Sequence, residues 1–155
     1  NLINLVWLLV QGNRFPDRPA RVEHLPNLIQ LSLRSNSLTE LSADIRGLTA
    51  LVFLDLANNK LASLPPEMGN LTALNELHLN GNQLRSLPTE IGDLVELIDC
   101  FVSNNRLTSV PATMGNMTRL ERLFLSDNLL TELPSEMDDL LFREIALLTG
   151  NPLSD

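Results

Sequence analysis

The sequence predicts an α/β solenoid with a parallel sheet on one side and short helical or 3-10 turns on the other. Three observations predict it. Leucines recur in a fixed order at a period of 23 residues. An asparagine recurs at the same period. A Leu-Pro pair marks the second half of most periods. Such periods read as coils that cannot bury a core singly and must stack.

Stepping by 23 from Leu71 lands on Leu48, Leu25 and Leu2 in one direction and on Leu94, Met117 and Leu140 in the other, with no insertion. Each unit follows L-x-x-L-x-x-L-x-L-x-x-N-x-L-x-x-L-P-x-x-I/M-G-x. One continuous array over residues 1–155 is expected, with repeats 2–24, 25–47, 48–70, 71–93, 94–116 and 117–139 and a partial one at 140–155. Asn1 matches the last position of a repeat, and Arg143 and Ala146 replace expected leucines. The chain therefore reads as a fragment of a longer protein, beginning inside the array and ending near the array's last repeat.

The stretch L-x-x-L-x-L alternates inward and outward positions, which is strand patterning. The inward rows are Leu31, Leu54, Leu77 and Leu123, and beside them Leu33, Leu56, Leu79 and Leu125. The asparagines Asn13, Asn36, Asn59, Asn82, Asn105, Asn128 and Asn151 follow the strands. An amide has two donors and an acceptor, so it can satisfy backbone groups at a sharp turn inside a stack. The prolines Pro65, Pro88, Pro111 and Pro134 are expected to open a short turn, where a missing N–H costs little. Asp44, Glu67, Glu90 and Glu136 suit the positive end of such a turn, so they are not a catalytic row.

These residues resemble the leucine-rich repeat family in its 23-residue form, whose second half matches Leu87-Pro88-Thr89-Glu90-Ile91-Gly92. The form is similar to the intracellular Ras-group repeats. The resemblance implies a horseshoe with a concave parallel sheet. It also implies a protein-binding signalling scaffold in the cytoplasm, with a small GTPase or a phosphatase as partner. An extracellular recognition domain or secreted effector, and an architectural subunit of a large assembly, are the alternatives.

Composition narrows the classes. The net charge of −8 argues against nucleic acid, which requires a basic footprint, and permits a basic or mixed partner surface. The apolar run Leu5–Val10 is far too short to span a bilayer. The single cysteine, Cys100, takes an inward strand position and reads as a buried, inert thiol. Cysteine-rich caps are lacking, which favours a reducing compartment. Asn70-Leu71-Thr72 and Asn116-Met117-Thr118 match the glycosylation sequon, but both are also the ordinary junction between repeats.

The outward strand positions are free to vary and carry the functional information. One column reads Trp7, Gln30, Phe53, Glu76, Asp99, Arg122, Ile145, and the next reads Leu9, Ser32, Asp55, His78, Phe101, Phe124, Leu147. A third reads Gln11, Arg34, Ala57, Asn80, Ser103, Ser126, Thr149. The chain has one Trp and five Phe, and Trp7, Phe53, Phe101 and Phe124 fall in these columns. Exposed aromatics are common interface anchors. The expected partner-binding set is Phe53, Phe101 and Phe124, with Asp55, Glu76, His78, Asp99 and Arg122 setting specificity. The competing account is that the rings pack on their neighbours.

His78 with Asp55, Glu76 and Asp99 could be read as metal ligands. A single imidazole and an Arg122 placed to pair with Asp99 favour a polar patch instead. No metal, cofactor or catalytic residue is assigned. No G-x-S-x-G, phosphate loop or H-E-x-x-H occurs, and a lone His lacks a paired nucleophile.

Overall fold

The structure is a computed structural model that describes residues 4–15, 25–141 and 145–154, with only the backbone described at Leu141 and Ile145. The expectations for Asn1, Leu2, Arg143, Asp155 and the side chain of Ile145 lie outside the described residues.

Seven three-residue strands form one open parallel sheet in sequence order. They are β1 (Trp7–Leu9), β2 (Gln30–Ser32), β3 (Phe53–Asp55), β4 (Glu76–His78), β5 (Asp99–Phe101), β6 (Arg122–Phe124) and β7 (Ile145–Leu147). Every adjacent pair aligns residues 23 apart, as in Leu54 with Leu77 and His78 with Phe101. The sequence period is thus the strand register. Leu31, Leu33, Leu54, Leu56, Leu77 and Leu79 are all fully buried, as the alternation predicts. Each such leucine contributes about 1.5–3 kcal/mol through burial.

The outer side carries 3-10 turns at Ala43–Gly47, Pro66–Asn70, Thr89–Asp93, Ala112–Asn116 and Ser135–Met137. The last runs into one turn of helix, α1 (Asp138–Leu141). The prolines sit one position earlier than a first helical residue. Pro65, Pro88, Pro111 and Pro134 are the extended residues just before the turns, and their carbonyls accept the first turn hydrogen bond. Ring closure fixes φ but leaves the carbonyl free, which suits that place. Where the second repeat has Ser42 instead, its hydroxyl accepts from the Asp44 N–H at 3.2 Å. Glu67, Glu90 and Glu136 fall in the first turn as expected.

The asparagine row links the coils. Asn82 Nδ2 donates to the carbonyl of Leu79 in its own coil at 2.9 Å and to Leu56 in the coil before at 3.0 Å. Its Oδ1 accepts from the Leu61 N–H at 3.0 Å. Asn59, Asn105, Asn128 and Asn151 repeat this arrangement.

The residue before each asparagine has a left-handed backbone: Gly12, Ser35, Asn58, Gly81, Asn104, Asp127 and Gly150, with φ between 55° and 75°. Gly, Asn and Asp bear that conformation at least cost. A second glycine row lies in the outer turns for a different reason. A Cβ on Gly92 would stand 2.3 Å from the Thr113 carbonyl oxygen of the next coil.

Asn82→Ala leaves the Leu61 N–H without its partner and removes one of two donors from the Leu56 and Leu79 carbonyls, which keep Asn59 and Asn105. It is expected to lower the unfolding free energy by about 1–3 kcal/mol, read as a lower urea midpoint at unchanged slope. Gly92→Ala is expected to cost about 1–3 kcal/mol through overpacking against the next coil. Wild-type midpoints for both variants would contradict this account of the stacking.

Candidate functional site

The face of the sheet opposite the leucine core is built by the outward residues of β1–β7. Parallel strands lie about 4.8 Å apart, close to the separation at which aromatic rings stack. In-register rings on neighbouring strands are therefore brought face to face. Phe101 and Phe124 stack with centroids 4.8 Å apart and planes 15° from parallel. His78 continues the stack on β4, 4.4 Å from Phe101 and at 18°. Phe53, in the adjacent column on β3, closes it with a tilted contact at 5.5 Å. All four are half-buried. The ring faces meet one another, and the ring edges are left toward solvent.

This joins the two accounts that the sequence allowed. The rings pack on their neighbours and also form a narrow apolar stripe across four strands. Leu147, 42 % exposed on β7, extends it. Trp7 and Leu9 on β1 are 63 % and 54 % exposed at the other end of the sheet.

The polar residues divide into two kinds. His78 Nε2 lies 2.7 Å from Glu76 Oε1 on the same strand. An ionised carboxylate only accepts, so the imidazole donates. Arg122 grips Asp99 with Nε and Nη2 on the two carboxylate oxygens. That fork holds the guanidinium above its ordinary pKa, first through the hydrogen bond and then through the charge of Asp99. Glu76 and Arg122 keep exposed side chains.

Asp55 and Asp99 depart from the expectation of freely exposed specificity groups. Asp55 is 7 % exposed. Its Oδ1 accepts from the Ala57 N–H at 3.0 Å, and its Oδ2 lies 3.3 Å from the Ser32 hydroxyl. Asp99 is 6 % exposed and lies under Arg122. The physical reason is spacing. Short side chains between strands about 4.8 Å apart are covered by the longer ones beside them. Both carboxylates are therefore engaged by neighbours, Asp55 by Ser32 and Ala57 and Asp99 by Arg122.

Among the described residues, no three His, Cys, Asp or Glu side chains are placed to hold a metal ion. Nor is any helix among them long and apolar enough to cross a membrane. Cys100 is fully buried at its inward position on β5. Desolvation, and then the charge of Asp99, pushes its thiol from 9.0 up to about 12. The sequence reading missed two things here. One is the entry of His78 into the ring stack, which the in-register pairing of His78 with Phe101 would have signalled. The other is a set of cations after the strands, taken up below.

Comparison with known proteins bears on this geometry. A model described as "leucine-rich repeat region" matches residues 42–141, and one described as "leucine rich repeat" matches residues 3–61. No curated protein matches. Among solved structures, a leucine-rich repeat protein of Leptospira interrogans is similar, with a TM-score of 0.95 and 38% identity over 99% of this chain and 39% of that one. Also similar is the leucine-rich repeat ectodomain of the plant membrane receptor kinase GASSHO1/SCHENGEN3 from Arabidopsis thaliana, solved in complex with CASPARIAN STRIP INTEGRITY FACTOR 2. There the TM-score is 0.75 and the identity 30%, over 99% of this chain and 23% of that one. The chain spans well under half the length of either.

Burial of Cys100 has a measurable consequence. The folded protein favours the neutral thiol, so the stability this group contributes is complete below about pH 9 and is lost as pH rises toward 12. Cys100→Val is expected to flatten that alkaline limb in urea titrations. A disulfide reagent at about pH 8 is expected to label no thiol in the native protein and one in the denatured protein. Fast native labelling would refute the burial.

Proposed function

Because the chain belongs to the leucine-rich repeat family, a fold that generally serves protein–protein interaction, we propose that it docks a protein partner on the exposed, concave face of its sheet. The observation that carries this is the ring stack of His78, Phe101 and Phe124 with Phe53, half-buried at the middle of the face beside the polar Glu76, Asp99 and Arg122. Aromatics held rigid before binding lose little entropy on contact and act as anchors. Glu76, His78 and Arg122 flank the stack and set orientation, while Asp99 holds Arg122 and Asp55 supports the strands beneath. The biological reading we favour is an intracellular signalling scaffold, with a small GTPase or a phosphatase as partner.

One observation favours a second reading, recognition outside the cell. The similar Arabidopsis structure is a membrane receptor's ectodomain in complex with a factor. Asn70 and Asn116 are exposed on the outer side, away from the ring stack. Carbohydrate mass on either, in protein isolated from its source, would support that location. Unmodified asparagines in a recovered cytosolic complex would support the first.

The site is tested by affinity capture followed by calorimetry with the captured partner. Phe101→Ala/Phe124→Ala is expected to weaken binding by at least about tenfold, since each phenylalanine newly covered contributes roughly 1.5–3 kcal/mol. An unaltered affinity, with circular dichroism showing the fold intact, would remove the ring stack as the contact surface.

A further inference from the structure

The strongest feature left outside the ring stack is electrostatic. The segments that follow β3, β4 and β5, residues 57–64, 80–87 and 103–110, contain no carboxylate. Each contains one cation: Lys60, Arg85 and Arg106. All three are exposed and make no ion pair with the described residues.

Lys60 and Arg106 fall at the same repeat position and Arg85 two residues later, all on the rim formed by the segments that leave the strands. The Lys60 N–H donates to Leu38 O at 2.8 Å and the Arg106 N–H to Leu84 O at 2.9 Å, so each coil rests on the one before. The Arg85 N–H reaches Ala62 O at 3.4 Å, and the Thr108 N–H reaches Arg85 O at 3.5 Å. Arg14, also exposed, takes the position of Lys60 and Arg106 on the first coil, and exposed Arg34 lies nearer its strand, in the column of Asn80 and Ser103. Glu40 on the second coil and Glu132 on the sixth bound the three carboxylate-free segments.

This arrangement differs from a merely solvated face. Surface charges are ordinarily interspersed by sign, because like charges held at coil spacing repel. Here an acidic chain of net charge −8 keeps carboxylates off the rim for three whole coils and places Asp44, Glu67, Glu90 and Asp93 on the outer turns. The next strand column beyond the ring stack, with Asn80, Ser103 and Ser126, carries no charge on these coils.

We infer that the rim receives an acidic, extended stretch of the protein partner, whose carboxylates meet Lys60, Arg85 and Arg106 while its apolar side chains lie on the ring stack. The inference rests on the proposed protein-binding reading and adds the partner's chemistry to it. An extended chain rises about 3.3 Å per residue. Carboxylates at alternate residues thus fall within reach of cations on successive coils, because Lys and Arg side chains are long and flexible.

The test is selection of a random-peptide phage library on the folded protein at low salt, repeated on Lys60→Gln/Arg85→Gln/Arg106→Gln and on Phe101→Ala/Phe124→Ala. The selected peptides are expected to be net acidic, to contain apolar residues, and to bind the triple variant about tenfold more weakly. Their affinity is expected to fall as salt rises. Neutral or basic selected peptides, or no selected peptides, would overturn the inference. So would equal binding by the triple variant. Apolar peptides lost only with Phe101→Ala/Phe124→Ala would sink the rim while the ring stack stands. A sulfated polysaccharide that binds the rim when acidic peptides do not would also overturn it.

Discussion

Backbone satisfaction between coils is the constraint on which the rest of this structure depends. Each coil turns sharply after a three-residue strand, in a place where its carbonyls and amides cannot reach water. A coil alone would leave them unpaired, at a cost of roughly 1–3 kcal/mol per group. The asparagine row removes that cost by joining each turn to the coil before it. The same geometry requires a left-handed residue just before the asparagine, which is why Gly, Asn, Asp and Ser fill that position throughout. No buried side-chain donor or acceptor among the described residues lacks a partner. Stacking is thus obligatory, and the leucine rows follow from it as much as they cause it.

Stacking in register also decides what the exposed face can be. Every outward position becomes a column with one member per strand, at a spacing the backbone dictates. That spacing coincides with the separation of stacked rings, so His78, Phe101 and Phe124 make a continuous stack with no help from loops. It also lets Arg122 reach Asp99 on the strand beside it with a two-pronged grip. The face is therefore rigid before any partner arrives, and its chemistry is set by three residues per coil.

Much of this was legible in the sequence, because a fixed period turns linear position into spatial position. The strand register, the buried leucines, the asparagine bridges, the burial of Cys100 and the adjacency of Phe101 to Phe124 all follow from counting by 23. Side-chain reach was not legible. Counting places Asp55 and Asp99 on the outward face, but it does not show that the longer side chains on adjoining strands cover them. It places His78 among carboxylates, yet the ring also turns its faces to Phe53 and Phe101. The prolines were one position off because a 3-10 turn begins with an extended residue whose carbonyl, not whose nitrogen, is used.

Net charge illustrates the same limit. Read over the whole chain, −8 points to a basic or mixed partner surface. Read by repeat position, much of the negative charge is an accompaniment of the fold. Acidic residues gather where the outer turns begin, since a carboxylate there interacts favourably with the free N–H groups. Those carboxylates lie on the far side of each coil from the ring stack, and salt screens exposed charges beyond about 8 Å. The charges exposed on the segments after β3, β4 and β5 are the local set, Lys60, Arg85 and Arg106. In a solenoid the sign of an exposed surface is therefore a property of one segment of each coil, and the sum over the whole chain can carry the opposite sign.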